Sequence, residues 1–126
     1  MKGVTLLEVM TVVSILAILA GLAFPVYFGV MARSKESEGW SFLTEIRSSE
    51  LRYYTEHDEA FTLNPTKLDM DVTATPLFTY CLRQSALQNF TAVADPQTGC
   101  GGCHTLCLNH AGTRGQDAAC PTLTCP

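Results

Sequence analysis

Two short groups of residues in this chain could do chemistry. The first is Cys100-Gly101-Gly102-Cys103-His104. Two cysteines three apart, with a histidine directly after, match the signature of covalent c-type haem attachment. In that chemistry two thioethers hold the porphyrin and the histidine ligates iron, and His57, His110 or Met70 would supply a distal ligand. The same residues also read as a cysteine-rich loop tied by disulfides, or as a zinc site built from Cys100, Cys103, His104 and His110. Cysteine parity does not choose among them, because haem would leave four cysteines, still an even number. Haem signatures usually sit on a short helix, whereas this one falls in an expected hairpin loop. Exported thiols also tend to oxidise. The disulfide-tied loop is therefore preferred, with no cofactor, and haem c at Cys100, Cys103 and His104 is the alternative.

The second group is Glu8 with the Gly3–Val4 junction five residues before it. Behind Glu8 runs an uncharged stretch of 24 residues, 9–32, ended by Arg33. As a helix it would reach about 36 Å, enough to cross a bilayer with some tilt. A carboxylate at the centre of a bilayer costs of order 2.5–3.5 kcal/mol, so Glu8 at the edge of this run asks for a partner charge. Pro25 removes a backbone donor and clashes with the carbonyl of Gly21, so a kink or a local loss of helix is expected there, softened by Gly21 and Gly29. A cleaved secretory leader does not account for the run: it is too long, and the best cleavage site, Gly3, precedes it.

The segment Gly3-Val4-Thr5-Leu6-Leu7-Glu8-Val9-Met10 resembles the class III signal of type IV pilins and type II secretion pseudopilins. The resemblance is specific over about 30 residues and looser as far as Phe61. It implies that a prepilin peptidase cuts the Gly3–Val4 bond and methylates the new amine of Val4. It identifies Glu8 as the family's glutamate and Pro25 as its helix-interrupting proline. In a helical polymer the Val4 amine of one subunit would approach Glu8 of its neighbour, relieving the burial cost and setting the register of assembly. Two features depart from the family pattern. The leader is only Met1-Lys2-Gly3, which leaves room for a start upstream, and valine stands where phenylalanine or methionine is usual.

The rest of the chain must fold around the second half of the helix. Trp40, Leu43, Arg47, Leu51 and Tyr54 recur at three- and four-residue spacing, with Phe42, Ile46 and Tyr53 beside them, which continues the helix to about residue 54. Unbroken from Val4, it would be about 75 Å long. Gly39 is a weak point, costing about 1 kcal/mol relative to Ala. Tyr53 and Tyr54 read as helix–sheet packing, with an aromatic path for electrons as the sharper alternative. Strands are expected at 77–82, 90–94 and 105–109, the last two joined by a hairpin loop over 95–102, and a tail from Ala111.

Together these give an α+β pilin fold, a long N-terminal helix packed on a small antiparallel sheet with a disulfide-tied C-terminal segment. The domains are a leader at 1–3, a membrane and polymerisation helix at 4–32, and an exported domain at 33–126. All six cysteines, Cys81, Cys100, Cys103, Cys107, Cys120 and Cys125, fall in the exported part, as disulfides made outside the cytoplasm do. At least two bridges are expected, one tying Cys120 or Cys125 back to Cys81 or Cys107. The net charge of −4 provides no basic footprint for nucleic acid. Nor does the sequence contain a Ser/His/Asp arrangement, a phosphate-binding glycine loop or a paired-carboxylate cleft, so no enzyme activity is expected. The resemblance implies a homopolymer. Its partners would be the inner membrane, the prepilin peptidase and the pilus assembly machinery, and it would end in an extracellular filament. A major type IV pilin is preferred to a secretion pseudopilin, because a cysteine-rich surface suits exposure outside the cell.

Overall fold

The computed structural model describes residues 3–58, 60–64, 67–70, 75–86 and 88–120, with backbone alone for 84–86. Helix α1 spans Leu6–Glu56 with Pro25 inside it. Four strands follow, β1 (Phe78–Ala86), β2 (Asn89–Pro96), β3 (Leu106–Asn109) and β4 (Arg114–Gln116), and then a 3-10 turn at Asp117–Ala119. The chain divides into two compact units at the Met31/Ala32 junction.

In the first unit the helix starts where Thr5 can cap it. Its hydroxyl accepts the N–H of Glu8 at 3.3 Å, and its carbonyl takes the N–H groups of Glu8 and Val9 at 3.1 and 3.3 Å. Thr5-x-x-Glu8 thus has the spacing of a capping box, with the acidic residue in the first turn where the helix dipole favours it. The hydroxyls of Thr11 and Ser14 bond to the carbonyls four residues back at 2.9 and 2.8 Å, which satisfies them without water. None of the apolar side chains here is buried: Leu6 and Leu7 are 78% exposed, and Met31 still 41%.

In the second unit the buried residues of α1 are Glu36, Gly39, Leu43, Ile46, Ser49 and Glu50. Positions 36, 39, 43, 46 and 50 alternate steps of three and four, one stripe of a helix. This differs from the stripe expected around Trp40, Arg47 and Leu51, which are only partly buried. The hydrophobic pattern missed the true face because a glycine and two glutamates lie on it. Gly39 is needed there. A Cβ at that position would come within 2.9 Å of Leu106 and 3.2 Å of Phe78, so the residue that weakens the helix lets the sheet approach it.

The sheet is an antiparallel meander in the order β1-β2-β3-β4. Phe78 and Tyr80 of β1, Phe90, Ala92 and Ala94 of β2, and Leu106 and Leu108 of β3 alternate onto the face that packs with Leu43 and Ile46. The register puts Cys81 opposite Val93 and Val93 opposite Cys107, so these three line the other face, where Cys120 joins them. The expected strands are all present, and β1 and β2 run longer than the sequence pattern indicated. The described part of the expected tail from Ala111 holds a fourth strand: β4 pairs with β3, and the Arg114 guanidinium lies 5.0 Å over the Trp40 ring. Three residues with one exposed arginine and a glycine carry no strand pattern to read. Tyr54 stacks on Phe61 at 4.6 Å and Phe61 meets Phe90 edge-on at 4.8 Å, which is helix–sheet packing.

Candidate processing, assembly and cysteine sites

At the N-terminal end, Gly3 and Val4 precede the first helical turn, and Val4 is 70% exposed. Glu8 is exposed one turn in, and no ion pair to it is present among the described residues. Pro25 lies inside α1, with Gly21 one turn before it; a Cβ at Gly21 or Gly29 would meet nothing within 4 Å. No contact among the described residues requires glycine at either place.

Cys100 is joined to Cys103, and Cys107 to Cys120. Cys81 is also in a disulfide, while Cys125 lies outside the described residues. The second bridge links β3 to the segment after β4, and Gly115 makes room for it: a Cβ there would sit 2.8 Å from the Cys107 sulfur. Cys100 and Cys103 are thus bonded to each other, and both sulfurs are engaged in this structure. His104 is engaged elsewhere. Its backbone N–H and its ring Nδ1 both bond Oε1 of Glu36, at 3.0 and 2.6 Å, and Nε2 lies 3.7 Å from Oδ2 of Asp117. The two carboxylates sit against opposite ring nitrogens, so they share no point where an ion could bind all three. Among the described residues no cluster of three or more His, Cys, Asp or Glu has metal-ligand geometry. The distal candidates are placed separately: His57 stacks on Tyr53 at 4.0 Å, the carbonyl of His110 accepts from Arg47, and Met70 packs on the core.

The hydrogen bond to Glu36, then the charge of Asp117, makes His104 hold its proton more tightly than an ordinary imidazole. Sequence reasoning missed Glu36 and Asp117 because they lie 68 residues before and 13 after His104, with no motif to join them. The Thr5 cap was missed as well, although its spacing to Glu8 is that of a capping box.

A family model described as the prokaryotic N-terminal methylation motif matches residues 1–24. The type IV major pilin protein PilA of Myxococcus xanthus is 39% identical over 57 residues, 45% of this chain and 26% of its own. A fimbrial protein of Neisseria meningitidis serogroup B is 40% identical over 58 residues, 46% of this chain and 34% of its own. The fimbrial protein EcpC of Eikenella corrodens is 38% identical over 55 residues, covering 44% and 36%. The matched stretches thus span about a third or less of the length of these curated relatives. The solved structure of the non-core minor pilin PilV of Neisseria meningitidis is similar with a TM-score of 0.58 at 27% identity, over 76% of this chain and 94% of that one.

Proposed function

We propose, from the premise that this chain is type IV pilin-like in its processing motif, its relatives and its fold, that it is a structural subunit of a pilus filament and polymerises through α1. The observation that carries this is the first unit: a methylation motif on a helix whose apolar side chains are exposed among the described residues. Before assembly the bilayer covers them; afterwards the helices of other subunits do. The prepilin peptidase frees the Val4 amine, and that cation meets Glu8 of a neighbouring subunit. The pair neutralises a carboxylate that a bilayer or a helix bundle would otherwise reject. Gly21 and Gly29, unconstrained inside the chain, leave room for close approach of neighbouring helices. The exported domain works without a cofactor and presents its disulfide-tied sheet at the filament surface.

Mass spectrometry of the exported protein should show Val4 as the first residue with one added methyl group. Glu8→Ala should leave membrane insertion intact and remove most filaments. An unprocessed N-terminus, or normal piliation of the Glu8 variant, overturns the proposal. The solved neighbour is a minor pilin, which favours a second reading, a low-abundance subunit within a filament built mainly of another pilin. Subunit ratios in purified filaments separate the two, and a haem stain of the same material tests the absence of cofactor.

A further inference from the structure

The two disulfides on described residues differ in the properties that govern reduction. Cys107–Cys120 spans a sequence separation of 13, and both residues are 5% exposed in the outer-face cluster with Val93. Cys100–Cys103 spans a separation of 3, and it is asymmetric: Cys100 is 3% exposed within the core cluster, whereas Cys103 is half-buried at its margin. The stabilisation from a cross-link rises with the logarithm of the loop it closes, so the short ring contributes the less of the two.

The segment around the short ring is held by other contacts. On its N-terminal side the Lys35 ammonium donates to the carbonyl of Gly99 at 3.1 Å. On its C-terminal side Glu36 takes both donors of His104, and the N–H of Thr105 reaches Oδ1 of Asp117 at 3.0 Å. The anchors flank the ring and do not pass through it, so opening the ring leaves them in place. Between the two cysteines stand Gly101 and Gly102, both exposed, with nothing within 4 Å of where a Cβ would be, so the turn that carries the bridge is open on that side, while Sγ of Cys103 lies 4.0 Å from the carbonyl of Ala32 on the other.

We propose that Cys100–Cys103 is a thiol–disulfide exchange site whose substrate is an external dithiol, with Cys103 the attacked sulfur and Cys100 the buried partner. One thiolate of the dithiol attacks Sγ of Cys103. The Cys100–Cys103 bond breaks, and its electron pair stays on Sγ of Cys100, which takes a proton. The second thiolate of the reductant then attacks the reductant's own sulfur in the mixed disulfide and closes the reductant's disulfide. Cys103 is released as a thiolate and takes the second proton. Two electrons and two protons pass from the dithiol to the cysteine pair, and a disulfide oxidant reverses the reaction. Access favours Cys103, because the attacking sulfur must approach along the bridge axis from the exposed side.

The full chain in detergent is titrated with dithiothreitol at neutral pH, quenched with an alkylating reagent and mapped by peptide mass, with circular dichroism followed in parallel. Cys100 and Cys103 should be alkylated about tenfold faster than Cys107 and Cys120, with the helical signal unchanged. The variants Cys100→Ser and Cys103→Ser each leave one thiol of the pair. The thiol at Cys103 should react with an aromatic disulfide reagent about tenfold faster than the thiol at Cys100. Reduction of Cys107–Cys120 at the same rate or earlier, loss of ellipticity together with the first reduction, or equal rates for the two single thiols would overturn the proposal. The assay does not depend on whether the chain polymerises.

Discussion

At Glu50 the second unit holds a carboxyl with no exposed surface. One oxygen accepts the N–H of Thr62 at 3.1 Å, and the other has no hydrogen-bond partner among the described residues. Burial pushes its pKa up to about 7, against a partial offset from the Thr62 N–H. The sign follows from linkage. The folded chain holds this proton up to about pH 7, whereas the unfolded chain releases it near 4.5. The contribution of Glu50 is thus complete below 4.5, falls between 4.5 and 7, and stays low above. Glu50→Gln keeps the Thr62 contact without the charge, and should be about 1–2 kcal/mol more stable than the parent at pH 8 with no gain at pH 4. Thermal melts at the two pH values test this, and a gain independent of pH contradicts it. His104 points the same way. Its raised pKa means that its bridge to Glu36 contributes fully below the unfolded value and is lost as pH rises through the folded one.

Helix α1 has two different requirements along its length. Between Ala32 and Glu50 it must let a sheet come close, and Gly39 decides how close. Gly39→Val should destabilise the exported domain by about 1–3 kcal/mol, because the new side chain enters space held by Leu106 and Phe78. Denaturant unfolding measures this, and an unchanged midpoint would mean that the sheet moves away at no cost. Between Gly21 and Pro25 the requirement is one that the proposed filament would set. The single chain is helical there, so a loss of regular hydrogen bonding, if it occurs, accompanies assembly. We expect the proposed filament to show that loss, and Pro25→Ala to stiffen or impair it while the second unit melts unchanged. A filament structure with a continuous helix through these residues would contradict this.

For the molecule as a whole, Cys107–Cys120 is the staple that a small core needs. It fixes the segment after β4 to the sheet across 13 residues, a loop for which chain entropy alone contributes about 3 kcal/mol. Replacing either cysteine with serine should lower stability by about that amount, whereas opening Cys100–Cys103 should cost clearly less. Comparing the melting of Cys107→Ser and Cys103→Ser checks the order. Equal losses would mean that both bridges carry the fold alike.

The sequence by itself carried the methylation motif, the apolar helix and three of the four strands. Each is written in local spacing: Gly3 to Glu8, an uncharged run, and alternation within a strand. Only the tertiary structure decided which face of the helix is buried, because Glu36, Gly39 and Glu50 lie on it for reasons of contact that no hydrophobic count registers. It likewise decided that Cys107 meets Cys120 and that His104 meets Glu36. Those partners are brought together by a meander whose last strand is three residues long. Its place is set by pairing with β3 and by the arginine over Trp40, not by any preference of its own residues. The haem signature at Cys100 was legible as a pattern, but the pairing of its two sulfurs depends on how the loop is held against α1, and that is a property of the fold.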